Sequence, residues 1–265
     1  MAADAQHCAR ATIEYDGTAF AGSQVQPKAR TVQGELEEAL NRLIGERIRI
    51  RLAGRTDAGV HATGQVAAFC LPRSLPWPGG LPELRRRLNA FLPPDLAVRS
   101  LRPASSGFDP RRDALWRVYR YRVRTGDVPR PLERHRTVQI DEELDVDAMR
   151  DAAGMLVGHR DFAALGSDAR GRTIRNLAQV RVSRRGNLVE IQVTANAFLR
   201  RMVRSIVALL LEVGRGRIPA AEAAAVLDRP GRALHGRAAP ARGLTLERIV
   251  YPSARTTRNT GEQGT

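Results

Sequence analysis

At 265 residues and 43% hydrophobic content, the chain is long and apolar enough to bury a sizeable core, as one large domain or two small ones. No apolar run approaches the length of a membrane-spanning helix, and Met1 to Cys8 lack the charged start and apolar stretch of a signal peptide, so a cytoplasmic protein with no membrane partner is expected. A formal net charge of +15 argues against indifference to polyanions: so basic a protein either repels itself or meets one, and nucleic acid leads over an anionic membrane surface.

Residues 10–15 form a β-like run closed by the turn signal Asp16-Gly17. A loop with few apolar residues follows to Arg30. Thr31 then caps a predicted helix whose apolar positions, Val32, Leu36, Leu40, Leu43 and Ile44, make one buried face and leave Glu35, Glu37 and Glu38 toward solvent. Two predicted strands, 48–52 and 65–70, flank the stretch Ala53-Gly54-Arg55-Thr56-Asp57-Ala58-Gly59-Val60-His61-Ala62. A Pro- and Gly-rich loop over 71–80 leads to a predicted helix over 81–92, and a short strand over 96–101 follows Pro93-Pro94. The segment 103–106 is the expected boundary between two halves, 1–105 and 106–255.

The second half opens with a strand over 116–123, on which Arg117, Tyr119, Tyr121 and Val123 share one face and Trp116, Val118, Arg120 and Arg122 the other. An amphipathic helix is predicted over 146–157, and a hairpin from 177–183 and 188–195 around Arg184-Arg185-Gly186-Asn187. The nearly all-apolar run 204–213 reads as a buried helix, and it also offers itself as a dimer surface. A last strand over 244–250 precedes a polar tail, 256–265, expected to be disordered. The class is α+β, a mostly antiparallel sheet with helices packed on it.

Cys8 and Cys70 form no CxxC and no zinc spacing and are expected as two free or buried thiols. The five histidines are scattered, so neither a metal nor a cofactor is expected. Walker A, GxGxxG, GxSxG and zinc-deaminase signatures are absent from the sequence. Arginine concentrates in 111–136 and 170–204, nine in each. That pattern is either a solvated basic surface or a phosphate-binding face, with Trp116, Tyr119, Tyr121 and Phe198 interleaved to stack on bases.

The strongest site candidate is Arg55-Thr56-Asp57. Read alone, Thr-Asp-Ala-Gly is a turn in which Asp bonds neighbouring backbone N–H groups. The adjacent guanidinium adds a second reading, because it would hold Asp57 ionised, and an oriented carboxylate can act as a nucleophile or a base.

The 53–62 stretch resembles the signature of the tRNA pseudouridine synthase family that modifies positions 38 to 40 of the anticodon stem-loop. Supporting segments, in order, are Tyr15-Asp16-Gly17-Thr18-Ala19-Phe20 with Gly22, Gln24 and Gln26, then Thr31-Val32-Gln33-Gly34, Tyr119-Arg120-Tyr121, Asn196 to Arg204, Ala239 to Leu244, and Tyr251-Pro252. The resemblance implies two similar α/β halves with joined sheets and a basic cleft. It further implies tRNA as partner, a homodimer, and no cofactor or metal. By the same resemblance Asp57 is the catalytic carboxylate and Arg55 orients it and fills the space left by a flipped base. Tyr119 stacks on the uracil and assists the final deprotonation at C5, and Arg204 pairs with Asp57 across the cleft. Gln24, Phe198 and His61 join the substrate-binding set, His61 as a supporting or phosphate contact. Ser23, where an aromatic is usual, and Phe108-Asp109-Pro110-Arg111-Arg112-Asp113-Ala114 depart from the family pattern. The rival from another class is a non-enzymatic basic RNA-binding protein of α+β fold. A second rival is a hydrolase that uses Asp57 on the glycosidic bond.

Overall fold

Helix α1 (Val32–Ile44) begins where Thr31 Oγ1 accepts the Gly34 N–H at 3.2 Å, and it ends at Gly45 in a left-handed conformation, φ 78°. Its buried face carries Val32, Leu36, Leu40 and Ile44, as the spacing predicts. Glu37 departs from the expectation. It is buried, and its carboxylate accepts the Ile50 N–H at 3.0 Å and the Gln33 amide at 2.9 Å. This bond, and one from Ile48 N–H to Asn41 Oδ1 at 2.6 Å, divert backbone donors that a strand over 48–52 would use. Strand β2 is therefore only Arg51–Leu52.

The computed structural model describes residues 7–71, 75–228 and 238–252; the tail expected at 256–265 lies outside them. In the first half β1 (His7–Tyr15), β3 (His61–Leu71) and β4 (Leu96–Pro103) accompany α1, β2 and α2 (Gly80–Phe91). In the second, β5 (Trp116–Thr125), β6 (Val138–Ile140), α3 (Val146–Leu156), β7 (Gly158–Asp161), β8 (Ile174–Arg185), β9 (Leu188–Ala195), α4 (Met202–Gly214) and β10 (Leu244–Val250) follow. The sheet has ten strands in the order β4-β1-β3-β10-β5-β9-β8-β7, with β2 beside β3 and β6 beside β5. Every pairing is antiparallel except β10 with β3 and β5 with β6. The expected boundary falls between β4 and β5, yet β10 returns to lie between the halves and makes one sheet of them.

One continuous apolar core runs through both halves. Helix α4 lies within it, with Ile206, Val207 and Leu210 fully buried, so this segment is core and not a free surface for a second chain. Among the described residues no helix is long and apolar enough to cross a membrane. Cys8 and Cys70, expected as separate thiols, form a disulfide. The antiparallel register of β1 and β3 sets the two directly opposite each other, a proximity that 62 residues of separation conceal.

The join between halves is tight. A Cβ on Gly64 of β3 would lie 2.1 Å from the Glu247 carbonyl oxygen of β10, against backbone that cannot swing away. Gly64→Ala is therefore expected to cost roughly 1–3 kcal/mol in urea denaturation by overpacking. Gly107→Ala, whose Cβ would meet nothing within 4 Å, serves as the control and stays within about 0.5 kcal/mol.

Candidate active site

The turn 53–60 joins β2 to β3 and is fixed from several directions. Ala53 N–H donates to Val66 O at 2.8 Å. The fully buried Gln65 side chain closes the turn's mouth, accepting the Gly54 N–H at 3.2 Å and donating to Gly54 O at 2.7 Å. Thr56 is buried. Its N–H donates to Ser23 Oγ at 2.9 Å, its carbonyl accepts the Ser23 N–H at 3.1 Å, and its hydroxyl meets Tyr15 Oη at 2.9 Å. Burial pushes the Tyr15 phenol up to about 12, against the opposing hydrogen bonds from Thr56 and Gln65, so it stays protonated at neutral pH. Gly17 presses on the turn from the β1 side, where an added Cβ would lie 2.0 Å from Val60 O.

The result is a rigid backbone that presents a partly exposed carboxylate. Asp57 keeps 34% of its side chain exposed, while its carbonyl accepts the Val60 N–H at 3.2 Å inside the turn. The guanidinium that meets Asp57 is not that of its sequence neighbour. Arg204, from the first turn of α4, places Nη1 3.3 Å from Asp57 Oδ2, and its own Nε donates to Ala239 O at 2.6 Å. Arg55 is exposed and forms no ion pair among the described residues, so its side chain is available to a ligand. The reading of Arg55 as the residue that holds Asp57 by adjacency is thus replaced by Arg204, on which the family motif had already placed an Asp57 partner. The chain enters α4 through Arg201 in a left-handed conformation, φ 64°, a costly one for a non-glycine residue, at the point where the Arg204 turn is aimed.

Tyr119 lies on the β5 face that looks toward Asp57. Burial, with smaller contributions from Tyr15 and the Asp57 charge, raises its phenol above the ordinary tyrosine value. Phe198 meets it edge to face, ring centroids 5.2 Å apart. Arg117, two residues earlier on the same face, is buried and donates to the carbonyls of Arg111, Ala114 and Asn196. It thereby ties the 108–114 turn and the Phe198 segment to β5. That turn is well formed despite its unusual sequence: Asp109 Oδ1 accepts from Arg111 and Arg112 N–H at 2.9 and 3.0 Å, and Tyr251 Oη donates to Pro110 O at 2.7 Å.

His61 is buried, with both ring nitrogens engaged by the protein, whereas Gln24 is exposed in the loop that Ser23 clips to Thr56. Several arginines of the two rich segments are neutralised internally. Arg120 and Arg122 share Glu190, Arg120 also pairs with Glu247, and Arg124 pairs with Glu133. Arg130, Arg181 and Arg200 are exposed without ion pairs among the described residues. Sequence reasoning had not singled out Ser23, Tyr15 or Gln65 as supports of the turn. Gln65 carried a signal, since it is a polar residue in an apolar strand immediately after the motif.

An Asp on a braced turn, an Arg from the other half and an edge-to-face Tyr–Phe pair agree with a match of residues 11–109 and 152–252 to the family model described as tRNA pseudouridine synthase. The chain belongs to that family. A Myxococcus xanthus protein named "tRNA pseudouridine synthase A" is 44% identical over 253 residues, covering 92% of this chain and 93% of its own length. A protein of the same name from Frankia casuarinae is 46% identical over 249 residues, 92% of this chain and 89% of its own length. In this tRNA pseudouridine synthase family member, Arg204 must hold Ala239 O and Asp57 together, a task that suits a planar fork and not a single ammonium. Arg204→Lys is expected to lower single-turnover isomerisation by about tenfold or more through misplacement of the carboxylate, with tRNA affinity by filter binding within about twofold.

Proposed function

We propose that this chain converts uridine to pseudouridine at positions 38, 39 and/or 40 of the tRNA anticodon stem-loop. The observation that carries the reading is the Asp57–Arg204 pair, in which a carboxylate on the family's signature turn is held at 3.3 Å by a cation from the other half of the sheet. The reaction breaks the C1′–N1 bond, turns the uracil, and joins C1′ to C5. C5 loses its hydrogen and N1 gains a proton, so no outside reactant is consumed. The target base must leave the stack to be reached.

Asp57 is the catalytic carboxylate in this reading, acting by attack on carbon or by removal of the 2′ proton. Arg204 holds it in place. Arg55, exposed and without an ion pair among the described residues, fills the space the base leaves. Tyr119 stacks on the uracil as a protonated phenol, since its raised pKa disfavours the phenolate, with Phe198 behind it. Gln24 and the exposed arginines that lack ion pairs among the described residues line the RNA side in this reading, and the net charge of +15 supports a polyanionic substrate. The reading includes a cytoplasmic location and a homodimer. Leu132, Val128 and Ile174, exposed to 99, 70 and 55%, supply apolar surface of the kind that association covers, and light scattering that returned only the monomer mass would remove this part.

The test uses tRNA tritiated at uracil C5. Wild-type protein is expected to release tritium and to leave a carbodiimide-reactive base at positions 38 to 40. Free uracil would instead indicate a hydrolase, and binding without either product a simple RNA-binding protein. Asp57→Asn keeps the shape and removes the charge, so it should bind tRNA at least as well as wild type and release no tritium. The raised pKa argues against the part in C5 deprotonation expected of Tyr119, so in the same assay Tyr119→Phe is expected to keep most turnover, whereas Tyr119→Leu loses stacking worth about 1–3 kcal/mol per base.

A further inference from the structure

His61 touches both halves of the molecule at the point where they meet, and its polar partners among the described residues are Gly17, Asp16 and Arg242. It is the first residue of β3, pairs with Thr245 of β10 in the parallel register, and is 3% exposed. Its Nδ1 faces the loop after β1: the Gly17 N–H lies 3.0 Å away and Asp16 Oδ1 3.2 Å. Among the described residues its Nε2 meets the Arg242 carbonyl, at 3.1 Å. A carbonyl can only accept, so Nε2 carries a hydrogen whatever the charge of the ring. In the neutral ring Nδ1 accepts from Gly17, and in the protonated ring it donates to Asp16. The bond from Nε2 to Arg242 is the same in both.

The segment that His61 grips also sets the position of Arg204. Residues 239–242 lead into β10. Ala239 exchanges hydrogen bonds with Arg204 in both directions, N–H to Arg204 O at 3.0 Å and carbonyl to Arg204 Nε at 2.6 Å. Pro240 O accepts from Tyr121 Oη at 2.8 Å. The route from the Asp57 turn through His61, 239–242 and Arg204 back to Asp57 is therefore a closed ring of contacts. Among the described residues two links of that ring cross between the halves through side chains: His61 to Arg242, and Asp57 to Arg204. The Gly17 side of His61 is less critical, because Gly17 is already wedged against Val60.

We propose that His61 is a positioning residue: its Nε2–H bond to Arg242 holds the Asp57 turn and the Arg204 platform at their working separation, and the imidazole neither transfers a proton nor touches RNA. The proposal rests on the isomerase reading given above, and wild-type tritium release tests that reading separately. Misplacing a catalytic group by about 1 Å can cost on the order of 10²-fold in rate.

The experiment measures single-turnover tritium release and KM for C5-tritiated tRNA, with thermal melting, for His61→Gln, His61→Asn and His61→Ala. Gln places its amide nitrogen near Nε2 and keeps the bond to Arg242. Asn reaches only as far as Nδ1 and keeps the bond to Gly17. The Ala and Asn variants are expected to lose about tenfold or more in rate, within that range, with KM within about twofold of wild type. Gln is expected to recover most of the rate. A KM rise at unchanged rate would make His61 an RNA contact and overturn the proposal. So would equal rates in Gln and Asn, or Asn outperforming Gln. The Gln–Asn comparison decides the question even if the Ala variant does not fold.

Discussion

Asp57 and Arg204 are 147 residues apart, and their meeting is the constraint around which the molecule is built. It depends on β10 lying parallel to β3 and antiparallel to β5, so that the last strand joins two sheets that would otherwise end in open edges. Close approach at this seam requires glycine at 64. The chain just before β10 carries the carbonyls that orient Arg204, Tyr121 and His61. A single strand insertion thus closes the sheet, completes the core and assembles the ion pair.

The site divides its labour between rigidity and access. The backbone of the 53–60 turn is held by Tyr15, Ser23, Gln65 and Gly17, whose polar groups are satisfied within the protein. The side chains that would meet a substrate remain accessible, Asp57 partly and Arg55 as an exposed residue. Ser23 illustrates the economy of this arrangement. It clips the Gln24 loop to Thr56 through both backbone and side chain. Electrostatics follow the same division. Arginines at the centre of the sheet are locked to Glu190 and Glu247, while those at the rim keep their charge for a polyanion.

How much was legible in advance depended on the length and periodicity of each element. The four helices and the long strands β1, β3, β5, β8 and β9 were readable because each repeats an apolar pattern over two or more turns or pleats. Strands β6 and β7, three and four residues long, carry too short a pattern to register. Glu37 was misread because periodicity assigns a helix face and knows nothing of a backbone donor arriving from residue 50. Cys8 and Cys70 were misread for the same reason, since spacing along the chain says nothing about strand register.

The sequence by itself determined the helices and the longer strands, the basic character and, through the 53–62 motif, the family resemblance and the turn that carries Asp57. These are local properties, written in periodicity, charge and short-range spacing. Tertiary structure alone decided that Arg55 makes no ion pair with Asp57 among the described residues, that His61 is turned inward between the halves, and that Cys8 lies opposite Cys70. Each of those outcomes depends on strand order and register. The contacts that fix strand order and register are long-range, between residues whose proximity no local pattern encodes.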